Sequence, residues 1–240
     1  MAPSDPGKSR LAALHPKAYL LVHALAGVLV TAALLWAFAS IADAVADKGR
    51  VAGADLALTQ WIQLHDTEWG EKLFAFVSLL GSSVLVAIIA IASAFYASRR
   101  DWLRAGALAL GSATGAGLNM LLKHLFHRGR PEFATEFITH ASWSFPSGHA
   151  MDSIVGYGIL LAVLLERVST PARRRALVAA ITLLIVAIGV SRVYLGVHYL
   201  TDVVAGWLAG GAWLFVCITA FHFAERRRGR IMDARRAPTQ

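Results

Sequence analysis

The chain has 240 residues, of which 57% are hydrophobic and 16% charged. Charged residues in soluble domains run near a quarter, so that class is excluded, as is a disordered chain, which would lack bulky apolar side chains. The single cysteine, Cys217, excludes a disulfide framework and a thiolate zinc cluster, and the net charge of +8 leaves nucleic acid open only until its placement is considered.

A helix that crosses a bilayer takes about 20 apolar residues. The first such run is Ala18–Ile41. Lys8, Arg10 and Lys17 precede it, and Ala44-Val45-Ala46 resembles a signal cleavage site. The run exceeds the roughly 7–15 residues of a signal h-region, so an uncleaved span is expected. Ala42–Lys72 then forms a long connection, in which Leu58, Trp61, Ile62 and His65 share one helical face. That face suits an interfacial helix, and a plain loop with an aromatic anchor is the alternative. Trp69 and Trp102 flank spans, as interface aromatics do.

Leu73–Ser98 and Trp102–Leu122 are the second and third spans. In the third, Gly111, Ser112, Gly115 and Gly117 suit close helix packing, and Thr114 and Asn119 suit polar contacts between helices. Ala150–Leu165 and Ala176–Val190 are short. Both are expected to span, with their outer ends in a polar recess. Tyr199–Phe223 is the sixth span, in which Cys217 is a small core residue. The fold class expected is all-α: a polytopic bundle of six transmembrane helices with its active site at the extracytoplasmic end. The expected divisions are a cytoplasmic segment 1–17, a six-span domain 18–223 and a basic cytoplasmic tail 224–240.

Charge placement sets orientation. The N-terminus, the second and fourth connections and the tail carry 16 of the 23 Lys and Arg residues. Lys48, Arg50, Lys72, Lys123, Arg128, Arg130 and Arg192 fall on the other side. Both termini are therefore expected in the cytoplasm, in a multi-pass protein of the cell inner (cytoplasmic) membrane. The basic balance reads as topology and contact with anionic membrane lipids, with no nucleic acid as partner.

Three polar clusters interrupt this pattern: Lys123 to Pro131, Phe145 to His149, and Ser191 to Asp202. The topology brings all three to one face. Lys123, Arg130 and Arg192 lie on the side disfavoured for cations. Unpaired at the bilayer centre, three such charges would cost roughly 7–10 kcal/mol. The acids near them are few: Glu132, Glu136, Asp152 and Asp202. A phosphate would complete the set, since Arg grips its oxygens bidentately. Pro146-Ser147-Gly148-His149 opens a helix whose free N–H groups suit an anion. His198 and Asp202 are four apart on one helix face. The carboxylate would fix the ring tautomer and leave the other nitrogen free to attack phosphorus. His149 could then protonate the leaving oxygen. His124 and His127 read as exposed loop residues, with added proton donors as the alternative, and Arg128 as a surface charge, with a substrate or lipid contact as its alternative. Asp152 could pair with His149 or a cation, and Trp143 could wall the pocket or serve as a loop anchor.

These strings resemble the signature of the type 2 phosphatidic acid phosphatase superfamily, K-x6-R-P, P-S-G-H and S-R-x5-H-x3-D. Here it reads Lys123 to Arg130-Pro131, Pro146 to His149, and Ser191-Arg192 to His198 to Asp202, about 80 residues in all. The resemblance implies a phosphohistidine mechanism with His198 as nucleophile, Asp202 orienting it and His149 as general acid. It implies that Lys123, Arg130, Ser147, Gly148 and Arg192 hold the phosphate, with no metal and no cofactor. Vanadium haloperoxidases share the signature but are soluble. The activity implied is hydrolysis of the terminal phosphate of a lipid phosphate or pyrophosphate. Undecaprenyl pyrophosphate ranks narrowly ahead of phosphatidylglycerophosphate and phosphatidic acid. The alternatives are a lipid phosphotransferase using the same phosphohistidine and a non-enzymatic six-span anion transporter. No obligate protein partner is implied.

Overall fold

The computed structural model describes residues 16–131 and 143–236. Among them are eight helices and no strand: α1 (Pro16–Ala46), α2 (Arg50–Leu64), α3 (Glu68–Leu79), α4 (Ser83–Ser98), α5 (Trp102–Phe126), α6 (Gly148–Leu165), α7 (Pro171–Tyr194) and α8 (Leu200–Arg236). Helices are the natural outcome, because a bilayer offers no hydrogen-bond partner to an open backbone. Six stretches are long and apolar enough to cross a membrane, with α3 and α4 counting as one. The protein is a multi-pass membrane protein. Large apolar side chains such as Trp36, Val86, Ile91, Leu110 and Leu183 stand exposed on its flanks, where lipid rather than water is the solvent.

Both short runs do form full spans. α7 gains length at each end, with Pro171 in its first turn, where a missing N–H costs nothing. α6 is the most buried span and packs on α4, α5, α7 and α8. Glycines on its neighbours permit the approach. A Cβ on Gly206 of α8 would lie 2.6 Å from the Ser147 carbonyl, and one on Gly115 of α5 would lie 3.2 Å from Val155. A Cβ on Gly111 would likewise meet Ile159, and the Ser112 hydroxyl is buried without a partner. Gly117, expected at a helix contact, has nothing within 4 Å of where its Cβ would stand. Thr114 bonds its own helix, at the Leu110 carbonyl 2.6 Å away, and makes no bridge to a neighbour. Asn119 does bridge helices, donating to the Pro146 carbonyl at 3.4 Å.

The second span differs from the continuous helix expected. It breaks at residues 80–82 between α3 and α4. The Leu80 carbonyl freed by the break accepts from the Tyr157 hydroxyl of α6 at 2.6 Å, a repair that neighbouring helices supply in membranes. Gly81 lies in the break because a Cβ there would collide with Ile188 of α7 and touch His149 at 3.5 Å.

The long first connection contains α2. Its polar side faces the bundle and much of its apolar side faces outward. Asp55 and Thr59 are buried against the protein, while Trp61 and Leu64 are exposed. Thr67 caps α3, accepting from the Gly70 N–H, and Glu68 and Glu71 complement the positive dipole end. This corner is tied to the end of α7, since Gln63 donates to the Tyr194 carbonyl at 2.9 Å and the Tyr194 hydroxyl accepts from the Thr67 N–H at 3.1 Å. The last residue of α7 that matters chemically, Arg192, is thereby held at the same rim.

Candidate active site

Four segments converge at one end of the bundle. The end of α5 brings Lys123, and the chain after it brings Arg128 and Arg130. The start of α6 brings Ser147, Gly148 and His149. The end of α7 brings Arg192, and the turn into α8 brings His198 and Asp202. Local hydrogen bonds lock these segments together. The Ser147 N–H donates to the Asp202 carbonyl at 2.9 Å, which fixes the start of α6 against the start of α8. The Val197 and His198 N–H groups both donate to the Arg192 carbonyl at 3.2 Å, closing the turn between α7 and α8. Gly196 sits in that turn at φ 63°, a left-handed conformation that suits glycine.

His198 is 2% exposed and Asp202 is fully buried. His198 Nδ1 lies 3.3 Å from Asp202 Oδ2, the same oxygen that accepts from the Tyr199 N–H at 3.0 Å. Across the ring, Nε2 lies 3.4 Å from Arg130 Nη1, which also donates to the Val197 carbonyl at 2.9 Å. A guanidinium has donors only, so the nitrogen that faces it presents its lone pair. The proton therefore belongs on Nδ1, directed at Asp202. Burial, aided by the Arg192 and Arg130 charges and opposed by Asp202, lowers the His198 pKa to about 4. The ring is neutral at pH 7. Burial likewise lowers the Arg130 pKa, with Asp202 opposing it.

Lys123 donates to the Trp143 carbonyl at 2.5 Å, and Arg192 donates through Nη1 to the Ser78 hydroxyl. Arg192 Nε and Ser147 Oγ are buried without a protein partner. His149 lies within electrostatic range of Arg192, His198, Arg130 and Lys123, which places all five around one volume. Every residue expected at the site is brought to it. Buried donors without acceptors beside clustered cations are what a tetrahedral anion would satisfy.

Asp152 sits one turn into α6, with one carboxylate oxygen unpartnered and within charge range of Lys123. It makes no ion pair with His149. It ends a cleft of about 340 Å³ that runs along α4 and α5 from Gly81 and Ser82 to Ala90 and Ser93. Trp143 is 41% exposed and meets His127 edge-on at 4.8 Å. His124 and His127 are exposed as expected, although His124 belongs to the last turn of α5. Glu132 and Glu136 lie outside the described residues. Among the described residues, no group of three His, Cys, Asp or Glu side chains is arranged to hold a metal.

Two residues are corrections to the sequence reading. Arg128 is no surface charge: its side chain is 13% exposed and pairs with Asp202 at 2.6 Å and Asp55 at 2.9 Å. Asp55 was not singled out at all. The available signal was the polar stripe Asp55, Thr59, Gln63 at helical spacing in an otherwise apolar stretch.

Known proteins share the family and the fold of this chain. Residues 104–226 match the model of the PAP2 superfamily. Phosphatidylglycerophosphatase B of Bacillus subtilis is 31% identical over 190 residues, covering 78% of this chain and 92% of that protein. A decaprenylphosphoryl-5-phosphoribose phosphatase of Mycolicibacterium smegmatis is 35% identical over 113 residues, 46% of this chain and 54% of that one. The crystal structure of a transmembrane PAP2-type phosphatidylglycerolphosphate phosphatase from Bacillus subtilis superposes with a TM-score of 0.73 at 30% identity, covering 82% of this chain and 96% of that one. Aquifex aeolicus LpxE shares the fold, with a TM-score of 0.52 at 24% identity, over 68% of this chain and 94% of that one.

Proposed function

The chain belongs to the PAP2 superfamily, and from that premise we propose that it hydrolyses a lipid phosphate through a covalent phosphohistidine on His198. The chain is a membrane lipid phosphatase of this family. The observation that supports the finer reading is the clamp on His198: Asp202 at one ring nitrogen and Arg130 at the other.

The Nε2 lone pair attacks phosphorus in line with the lipid oxygen. The P–N bond forms as the P–O bond breaks, and His149 gives its proton to the leaving oxygen. Asp202 supports the positive charge that the His198 ring acquires. Lys123, Arg130 and Arg192 stabilise charge on the equatorial oxygens, joined by the Ser147 hydroxyl and the Gly148 N–H at the start of α6. In the second half, water attacks phosphorus as the P–N bond breaks and its electron pair returns to His198 Nε2, His149 takes the water's proton, and inorganic phosphate leaves. Side-chain cations do the work that a metal does in other phosphatases, so the reaction is read as metal-independent.

The cleft beside Asp152 offers the apolar chain of a lipid a lateral path to the site. The near-full-length likeness to a phosphatidylglycerophosphatase moves phosphatidylglycerophosphate ahead of undecaprenyl pyrophosphate as the first substrate to try. The charge distribution supports a site on the outer face of the cytoplasmic membrane with both termini inside. An impermeant thiol reagent should label Ser142→Cys in intact cells, and protection there would invert the orientation.

The test is phosphate release by purified protein over a panel of lipid monophosphates and pyrophosphates, with chelator present. Wild-type turnover and an acid-labile labelled enzyme are expected, both abolished in His198→Ala. Full activity in His198→Ala, or loss to chelator, would reject the reading. Label appearing on a second lipid rather than in free phosphate would make it a phosphotransferase.

A further inference from the structure

Helix α2 has two unlike faces. Val51, Leu56, Trp61 and Leu64 are exposed, whereas Asp55 is 4% exposed and Thr59 fully buried. The Asp55 carboxylate accepts from Arg128 Nη2 at 2.9 Å, from the Thr201 N–H at 3.2 Å and from the Thr201 hydroxyl. The other terminal nitrogen of Arg128 donates to Asp202 Oδ1 at 2.6 Å and Thr201 Oγ1 at 2.8 Å. The guanidinium lies 4.1 Å from the Tyr199 ring centroid, so stacking fixes its plane as well. Asp202 thus has one oxygen held by Arg128 and the other turned to His198.

We propose that Asp55 and Arg128 are positioning residues for the nucleophile, through which α2 sets the angle of Asp202 and so the aim of His198. The inference rests on His198 being the nucleophile. A carboxylate with one oxygen gripped by a rigid, stacked fork cannot rotate about its last bond. It therefore offers His198 a single direction for the Nδ1 proton, and the ring a single orientation. The link also makes α2, whose other face suits lipid, part of the reactive apparatus.

The two residues should act with opposite sign on the charge felt by His198. Without Arg128, the Asp202 charge falls on His198 alone and holds a proton there more tightly. Without Asp55, the Arg128 charge falls on Asp202 alone and weakens its pull on the ring. The other charged groups facing this pair, Arg130, Arg192, Lys123 and His149, are unchanged in both variants.

The experiment measures kcat, KM and the pH dependence of kcat/KM for full-length protein in detergent, with one short-chain lipid monophosphate. Arg128→Gln should lose about 10–100-fold in kcat with KM within a few fold, as outer-sphere partners typically do, and its acidic limb should move to higher pH. Asp55→Asn should lose less, with the limb moving to lower pH. Limbs that stay at the wild-type position, with losses that only track the folded fraction, would overturn the proposal. If Arg128→Gln does not fold, Arg128→Lys decides. It keeps the charge but not the fork, so a low kcat in folded protein is expected and a wild-type kcat overturns the inference. An acid-labile phosphoenzyme in the wild type tests the nucleophile separately: if it forms while these variants behave as wild type, only the positioning role falls.

Discussion

The two ends of the α5 helix each present arginine chemistry, about 28 Å apart at 1.5 Å per residue from position 104 to 123, and the two are built on opposite principles. At the far end, Arg104 is saturated by acids. It bonds Asp101 and Glu166 at 2.5 Å and Glu225 at 2.8 Å, drawing α5, α6 and α8 together, and lies 5.9 Å from the Phe221 ring centroid. Burial opposes the ionisation of Asp101, but Arg104, helped by Arg228, outweighs it and holds that carboxyl below its ordinary pKa. At the site end Arg128 is also matched by acids, Asp55 and Asp202, but the hydrogen bonds of Arg192 and Lys123 go to a hydroxyl and a carbonyl. Neutral acceptors hold a cation in place without cancelling its charge. The contrast teaches how to tell a clamp from a site: the clamp finishes its electrostatics internally, and the site leaves positive potential for a substrate to complete.

The sharpest way to break that comparison is to remove one arginine from each end. Arg192→Ala should lower kcat/KM by about 10²–10³-fold, the usual loss for one donor to developing charge. Its melting temperature should hold or rise, because Arg192 stands among the like charges of Arg130 and Lys123. A fall in melting temperature without loss of turnover would show that the site end is a structural clamp too. Arg104→Met should do the reverse. Three carboxylates would lose their common partner, and stability should fall by roughly 1–3 kcal/mol, less than for a fully buried pair because these side chains keep partial exposure. Turnover per folded molecule should stay within about twofold, and a larger loss would mean that the far end reaches the chemistry.

Acid provides the gentlest probe. His198 is neutral in the folded protein down to about pH 4, against about 6.5 for the free ring. The unfolded chain therefore binds more protons between those values, and stability should decline as pH falls through that window and level off below it. If His198 is the nucleophile as proposed, attack by Nε2 needs the neutral ring, and kcat/KM should fall only as pH approaches 4. His198→Ala should flatten the stability decline over the same window while leaving the Arg104 end unaffected. An unchanged slope would place the acid sensitivity elsewhere.

Much of this was legible in the linear sequence, for identifiable reasons. Apolar length is a local property, so all six spans could be read, including α6 and α7, whose apolar runs are short. The signature is linear within each cluster, so Lys123, Arg130, Ser147, Gly148, His149, Arg192, His198 and Asp202 could be named before their convergence was visible. The break between α3 and α4 was hidden, because nothing in Leu80-Gly81-Ser82 announces that Ile188 and Tyr157 press on it from other helices. Arg128 was read as a surface charge because both acids that bury it arrive from 73 or 74 positions away.

The sequence by itself determined that the chain is a membrane bundle, which residue types could meet a phosphate, and that His198 and Asp202 share a helix face, since period and hydrophobicity act over a few turns. Only the tertiary structure decided which oxygen of Asp202 faces His198, which acids neutralise Arg104, and that Arg192 and Lys123 bond to neutral acceptors. Those outcomes depend on partners as far apart as the 146 positions between Asp55 and Thr201, and charge pairing at such separations is settled by how the helices pack, not by local order.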